Sequence, residues 1–431
     1  MRMCVLLLLF GWMLASNPDA IRAGGEKEKA VVVGRLFSPI GTVLVRENQK
    51  WSAPELYAGL ASGQQLLVPP GATGVVQVKE GDVLLTLSGR LPGLAPSPVL
   101  GAYARLHANK NVDLDMTLEG GRALIKNQKK DGLIKVRLRI HDDNLDLTLL
   151  NKDSVVGIEA YRAWPAGTPF SKKVIKDREP EIHLGVFLLQ GKVELQLRTE
   201  KHSLQAPAKG AILYHLSSFG GLRGPILLDK APLWIKPGAD MSAQTTAWYK
   251  AVENLRRALA DKKGLDGELG EMVKQKEPLK RAVAVLSAGA FGDSNLVLAG
   301  LHDSKSGDVR RAATLALVHQ CNRSQAADIG LYKALIEKKY APGQAEIFMH
   351  LLHGFGPQDL QRPETYETLI SYLRHKDLGI RELAAWRLYQ LVPQGKDIAY
   401  DAASPAEERS RGQAAWRKLI PDGKLPPGSE K

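Results

Sequence analysis

Residues 135–149 read KVRLRIHDDNLDLTL, with apolar side chains at every second position on both sides of a polar Asp-Asp-Asn centre. Such alternation places the apolar side chains on one face of an extended strand. Asp and Asn favour tight turns, because their side chains bond to the nearby backbone. The stretch therefore predicts two antiparallel strands joined by a turn at residues 142–144, each with one buried face.

The same period of two recurs between residues 31 and 237. Residues 75–87 alternate around a Gly-containing loop, and residues 186–197 do so around Gln190-Gly191. Glu119-Gly120-Gly121 is predicted to turn the chain after another alternating run. The Pro-rich residues 91–98 are predicted to form an exposed excursion or a sub-boundary. No segment with the length and the apolar period of a helix interrupts this alternating pattern. We therefore expect an antiparallel β-sandwich or β-roll domain over residues 31–237.

Near residue 240 the apolar period changes from two to 3.6. Trp248, Val252, Leu255 and Leu259 lie on one helical stripe. The glycines between residues 264 and 270 are predicted to break that helix, and a proline at position 278 opens the next one. The second half of the chain is therefore predicted to be α-helical.

An internal repeat lies inside the helical half. Residues 308–317 read DVRRAATLAL, and residues 379–388, about 71 positions later, read GIRELAAWRL. That spacing is close to twice the length of one helix-pair repeat. Further apolar helices are predicted between the two copies. We expect a short α-solenoid over residues 245–421, so that the fold class is β then α, followed by a disordered tail at residues 422–431.

The N-terminus has the pattern of an export signal. A positive start is followed by an apolar run from Cys4 to Ala15, which is short for a membrane span. Residues 1–23 are predicted to be a signal peptide, ending after Ala15 or after Ala23; an uncleaved anchor is the alternative. The protein is expected to be periplasmic or secreted, or else anchored in the inner membrane facing the periplasm. Cys321 would then be the remaining cysteine and is expected in the core.

Two family resemblances follow from these segments. DVRRAATLAL and GIRELAAWRL resemble HEAT repeats, and residues 398–421 resemble the end of HEAT-containing exported proteins of planctomycete bacteria. LDMTLEGGR at 114–122, residues 145–149 and FLLQGKVEL at 187–195 resemble the FecR-like periplasmic domain. The resemblance implies a β-rich periplasmic module without catalytic residues. Only three residues precede the apolar run, so direct sigma-factor control by a cytoplasmic segment is not implied.

Motifs that carry catalysis or cofactor binding are missing from the sequence. Cys-x-x-Cys, His-Glu-x-x-His, Gly-x-Ser-x-Gly and a phosphate loop do not occur. We therefore expect a protein that is not an enzyme and that has no cofactor and no metal site. His350 and His353 lie three apart on a predicted helix, and we expect ordinary surface or interface histidines there rather than metal ligands.

A run of basic residues is the one candidate binding feature of the β half. The net charge is +13, and six basic side chains lie close together in the sequence. They are Lys126, Lys129, Lys130, Lys135, Arg137 and Arg139. The last three share one strand face and could bind an anionic ligand. In the preferred alternative, Asp113, Asp115 and Asp146 neutralise them from adjacent strands.

These observations predict a non-catalytic exported binding or scaffolding protein. The β domain would bind an envelope ligand or a protein, and the helical repeats a protein partner. An anionic envelope polymer is a further candidate partner. Nucleic acid is disfavoured, since few aromatic residues interleave the basic ones. The membrane becomes a partner only if the signal stays uncleaved, which gives the alternative of a membrane-anchored FecR-like sensor. An enzyme acting on an envelope polymer is the disfavoured third reading.

Overall fold

The computed structural model describes residues 31–48, 50–90, 99–141, 143–235, 242–261 and 265–428. The predicted signal peptide and the Pro-rich residues 91–98 lie outside these ranges, as does the last part of the predicted tail. Strands occupy the chain as far as Leu228, and α-helices follow from Ala243 onwards. The predicted order of a β-rich region followed by a helical region is therefore confirmed.

Seventeen strands lie in the described part of the first half. Their bounds are β1 Val32–Leu36, β2 Leu44–Glu47, β3 Lys50–Ser52, β4 Gly59–Ala61, β5 Gln65–Val68, β6 Thr73–Val78, β7 Val83–Ser88, β8 Ala102–His107, β9 Leu114–Asn127, β10 Ile134–Ile140, β11 Asp143–Leu149, β12 Val155–Ala163, β13 Glu181–Gln190, β14 Lys192–Leu197, β15 Glu200–Gln205, β16 Ala211–Ser217 and β17 Gly221–Leu228.

Ten α-helices lie in the described part of the second half. Their bounds are α1 Ala243–Ala260, α2 Leu265–Met272, α3 Pro278–Phe291, α4 Ser294–Leu301, α5 Gly307–Cys321, α6 Gln325–Glu337, α7 Pro342–His353, α8 Pro363–Tyr372, α9 Leu378–Leu391 and α10 Ala406–Leu419.

The strands form two sheets that share one strand. The first sheet has the order β4-β1-β6-β7-β9-β12-β13-β16-β17. The second has the order β3-β2-β5-β8-β9-β10-β11-β14-β15. Neighbouring strands are antiparallel except β9 and β10, which are parallel. Apolar side chains of both sheets, such as Leu85 and Met116, are buried in a common core, as the alternating pattern predicts.

Strand β9 corrects one prediction. We expected Glu119-Gly120-Gly121 to turn the chain, but the strand continues through these residues. Its first half pairs with β8 and β10, and its second half with β7 and β12. Gly121 has a φ of +108°, and a Cβ there would lie 2.3 Å from Cα of Ala102. The glycine pair therefore bends the strand from one sheet into the other instead of ending it.

The helical half matches the predicted pattern in most places. The Trp248 stripe is buried along α1, and the proline at position 278 opens α3. The Trp248 helix does end before residue 264, at Ala260, but the break lies earlier than predicted, because Leu265–Met272 is itself helical. Both copies of the repeat lie in helices, α5 and α9, with their first arginine buried. Arg281 of α3 is buried at the same point, so that three helices carry this arginine near their first turn.

The described part of the C-terminal tail also differs from expectation. We predicted disorder from residue 422, but residues 422–428 pack against the helices. The backbone N–H of Gly423 donates to Glu367 Oε1 at 2.6 Å, and Leu425 contacts the core. Gln394 Nε2 donates to the carbonyl of Pro427 at 2.9 Å. These contacts join residues distant in the sequence, so only the tertiary structure shows them.

The two halves dock on each other through buried hydrogen bonds. The hydroxyl of Tyr103 donates to the carbonyl of Ala290 at 2.7 Å, and Arg256 Nη1 donates to the carbonyl of Ile40 at 2.7 Å. Trp164 Nε1 donates to the carbonyl of Cys321 at 2.9 Å. Because buried polar groups are costly to separate from their partners, these bonds hold the halves in one arrangement.

The segment between β12 and β13, residues 164–180, forms a strap across α5, α6 and α7. The carbonyl of Thr168, in the strap, lies 3.0 Å from Nδ1 of His353 in α7. The other ring nitrogen of His353, Nε2, lies 3.0 Å from Oδ1 of Asp328 in α6. The ring of Phe170 packs on Tyr332 with centroids 5.2 Å apart. The strap thus extends the contact between the halves well beyond the end of the sandwich.

Candidate functional site

The predicted basic residues of β10 lie on the outer face of the second sheet. Arg137 donates to both carboxylate oxygens of Asp146 at 2.8 Å. Arg139 donates to both oxygens of Asp115, at 2.7 and 2.9 Å. Both guanidinium groups therefore form the bidentate cross-strand pairs that the neutralising alternative describes. Lys135 is exposed, and it forms no ion pair with a described residue.

The other three lysines lie elsewhere. Lys126 belongs to the second half of β9, in the first sheet, and its ammonium lies 2.9 Å from Asp153. Lys129 lies 3.9 Å from Asp82, and Lys130 is exposed in the turn after β9. The six basic residues are thus divided between the first sheet, the second sheet and the turn after β9, because the bend at residues 120–121 carries the end of β9 away from β10.

A groove of about 840 Å³ opens at the end of the sandwich where β8 finishes. We call it the distal groove; it is lined by residues 31–35, 77–81, 106–110 and 112–115. Apolar side chains of β1 form part of its wall, and Val32 is largely exposed there. Lys110 and Asp113 bring charges of both signs to its rim.

A buried carboxylate lies in the wall of the distal groove. Asp115 accepts a hydrogen bond from Asn109 Nδ2 at 2.6 Å in addition to the pair from Arg139. Burial alone would raise the pKa of Asp115, but the hydrogen bonds from Arg139 and Asn109 outweigh it and leave the pKa below its usual value. His107 Nε2 lies 2.9 Å from Thr117 Oγ1, and burial together with the charge of Arg139 lowers the pKa of this imidazole. The histidine is therefore neutral at neutral pH.

A second concave surface lies between the two halves. This junction cleft has a volume of about 440 Å³ and is lined by Val99, Tyr103, Glu119, Gly120, Gly121, Ala160, Tyr161, Arg162, His319, Asn322, Arg323, Ser324 and Ala327. The glycine pair that bends β9 belongs to its lining, as does the loop between α5 and α6. The cleft exists only because the halves dock, since each contributes part of the lining.

The junction cleft contains two arginines and two tyrosines. Arg323 holds its guanidinium carbon 5.1 Å from the centre of the Tyr103 ring, which also stacks on His319 with centroids 5.5 Å apart. Tyr161 stacks on His183 with centroids 4.8 Å apart. Arg162, the next residue of β12, is half-buried, and strand alternation places its side chain on the opposite sheet face from that of Tyr161. Neither arginine forms an ion pair with any residue that the structure describes.

Cys321, His350 and His353 lie in the helical half. Cys321 is buried, as expected, and burial raises the pKa of its thiol. His350 and His353 diverge: His350 is exposed and packs edge-on against Phe355, whereas His353 is buried beside Asp328. Among the described residues, no group of three or more His, Cys, Asp or Glu side chains could hold a metal ion. No helix within the described ranges combines the length and apolar character needed to cross a membrane.

Comparison with known proteins returned no match to a family model, to a curated protein or to a solved structure. The assignment of a function therefore depends on the geometry of the chain itself.

The residues of the junction cleft were not identified from the sequence. Tyr103, Arg162 and Arg323 come from three separate elements, and no spacing rule connects them. One local signal was available: Gly120-Gly121 interrupts an alternating strand pattern, and a glycine there indicates a bend or a close approach of another chain segment. The pattern was interpreted as a turn, so its link to a cleft was missed.

Proposed function

We propose that this chain is a non-catalytic exported binding or scaffolding protein. Its β domain would bind an envelope ligand or protein, and its helical half a protein partner. The observation that supports this proposal is the placement of the distal groove relative to the helical half. The groove opens at the end of β8, and the docked helices meet the start of the same strand.

The length of β8 separates the two surfaces. Tyr103, near the start of the strand, bonds to α3, and His107, its last residue, lines the distal groove. A strand rises about 3.3 Å per residue, so these two positions lie roughly 13 Å apart along the strand. A ligand in the groove would leave the helices uncovered, and both partners could be held at once in a fixed relation.

The proposed helical repeat is supported by the three equivalent arginines. Arg281 Nη1 donates to the carbonyls of residues 275 and 276, and Arg381 Nη1 donates to those of residues 375 and 376. Arg310 Nη1 donates to the carbonyl of Asp303 in the corresponding turn. Recurrence of one buried hydrogen-bond arrangement in α3, α5 and α9, although not in α7, is what a degenerate repeat architecture such as HEAT would produce. Stacked helix pairs commonly present an extended surface to protein partners.

Separable loss of partners tests the adaptor proposal. We would compare quantitative pull-downs from an envelope extract with the full mature chain, a V32D/K110E groove variant and an I336E variant of the partly exposed α6 surface. Each variant should lose a different partner and keep the other. K209E, on an exposed turn, serves as the matched charge control. Loss of the same partners in both variants, or unchanged recovery in both, would contradict two independent binding surfaces.

Export is part of the proposal and has its own test. Mass measurement of the mature protein from fractionated cells should show removal of residues up to Ala15 or Ala23. A full-length mass in the membrane fraction would instead favour the anchored-sensor alternative.

A further inference from the structure

We propose that the junction cleft binds a small anion, a carboxylate or phosphate group carried on a compact apolar body. This inference goes beyond the adaptor role, because it concerns a small ligand held between the halves and not the two outer surfaces. It depends on the charges, the apolar lining and the volume of the cleft.

The charge balance of the cleft is positive. Arg162 and Arg323 face it without an acidic partner among the described residues. The acidic side chain in the lining, Glu119, is already paired, since Arg105 Nε lies 2.9 Å from its Oε1. Guanidinium groups bind carboxylates and phosphates through paired N–H donors, so two such groups in one cleft favour an anionic ligand.

The arginine on the helical side is held in position before any ligand arrives. Arg323 lies over the ring of Tyr103, whose hydroxyl is fixed by the carbonyl of Ala290 and lies 3.0 Å from His319 Nε2. Holding a side chain in its bound geometry reduces the entropy lost on binding. Ser324 caps α6, and the first N–H of that helix already donates to Glu179, so the arginines and not the helix end carry the inference.

The apolar lining and the volume define the rest of the ligand. Val99, Ala160 and Ala327 contribute small apolar groups to the cleft, whereas the ring of Tyr103 is already stacked on His319 and that of Tyr161 on His183. A volume of about 440 Å³ lies within the range of roughly 300–1,000 Å³ that is usual for small-molecule sites, which often lie at domain junctions. A benzoate-like or phenyl-phosphate-like ligand meets these requirements, with its anionic group between the two guanidinium groups.

Calorimetric titration of the full mature chain tests the site. Benzoate and phenyl phosphate are the probes, benzamide is the neutral isostere of benzoate, and inorganic phosphate tests whether the anion alone suffices. We expect both aromatic anions to bind, benzamide to bind at least about tenfold more weakly, and Arg162→Gln or Arg323→Gln to weaken binding by at least about tenfold each. Arg323→Lys, which keeps the charge but loses the fork, should lie between the wild type and Arg323→Gln.

Arg311→Gln is the matched control, because Arg311 is exposed on α5 away from the cleft, and it should bind as the wild type does. Preference for phenyl phosphate over benzoate, or the reverse, would identify the anionic group within the proposed class. The inference is overturned if neither aromatic anion binds at millimolar concentration, or if Arg162→Gln with an unchanged unfolding midpoint binds both as tightly as the wild type. Absence of binding in this titration would not change the result expected from the pull-downs, so each proposal can be contradicted independently of the other.

Discussion

Arginines of the second sheet and arginines of the junction cleft have the same chemistry and different surroundings. Arg137 and Arg139 each donate two hydrogen bonds to a carboxylate on a neighbouring strand. Arg162 and Arg323 have no acidic partner among the described residues and face a concave surface. A run of basic residues in a sequence therefore shows only that positive charge is present. Whether those residues can bind an anion depends on which side chains face them from a neighbouring strand or across a domain junction.

The largest expected effect concerns an arginine that is both paired and buried. Arg310 Nε donates to Glu382 at 2.7 Å, Nη1 donates to the carbonyl of Asp303, and Nη2 contacts Asp401. Arg310→Ala would remove a buried cation and leave the half-buried Glu382 without its partner, and the free energy of unfolding should fall by about 3–5 kcal/mol. Denaturant unfolding measures the loss.

The adjacent Arg311 is the control for that substitution. It is exposed and lies 3.9 Å from Asp308, so Arg311→Ala should change stability by less than about 0.5 kcal/mol. Equal losses in the free energy of unfolding for Arg310→Ala and Arg311→Ala would contradict the prediction that the buried arginine contributes more to stability than the exposed one.

Gly121→Ala is expected to have the next largest effect. The new Cβ would lie 2.3 Å from Cα of Ala102 on a residue whose φ is +108°, so the bend of β9 and the adjoining lining of the cleft would both be distorted. We expect a loss of about 2–3 kcal/mol from overpacking and backbone strain. Gly63→Ala, with a φ of +79° and open space around it, isolates the strain alone. Similar losses in the free energy of unfolding for Gly121→Ala and Gly63→Ala would contradict a contribution from the close approach of Gly121 to Ala102 in β8.

A smaller effect should depend on pH. The folded pKa of Asp115 lies below its usual value, so its carboxylate stabilises the fold above a pH of about 4 and that contribution is lost as the pH falls through the folded pKa. Asp115→Asn should cost about 1–3 kcal/mol at neutral pH and progressively less in acid.

Asp146→Asn provides the comparison for Asp115. Its pair with Arg137 lies on the surface, and the substitution should cost less than about 1 kcal/mol. Unfolding curves recorded from neutral pH to about pH 3 would distinguish the two carboxylates. Identical pH profiles for both variants would contradict the difference in burial.

The smallest effect should come from the exposed lysines. Lys130→Ala with Lys135→Ala removes two ammonium groups that form no ion pair with a described residue, and stability should change by less than about 0.5 kcal/mol. The salt concentration that elutes the protein from an immobilised polyanion should fall more for this variant than for Arg137→Gln, whose charge is already paired. A larger fall in the eluting salt concentration for Arg137→Gln would contradict this prediction and favour an anion-binding role for the arginines of β10.

Local periodicity was a good guide to the elements and a poor guide to their connections. Alternation predicted the strands on either side of residue 142 and the hairpin of β6 and β7, because burial of one sheet face imposes a period of two. It could not show that β9 belongs to both sheets or that it runs parallel to β10. Those features depend on pairing between strands distant in the sequence, which leaves no local pattern.

The amino-acid sequence alone determined the change from sheet to helix near residue 240, since side-chain burial repeats with the period of the local backbone. It also determined the repeated arginine of α5 and α9 and the burial of Cys321. Only the tertiary structure decided which charges are paired and which face a cleft. Ion pairs and concave surfaces are made by residues far apart along the chain, and docking of the two halves brings Arg162 and Arg323 to one place.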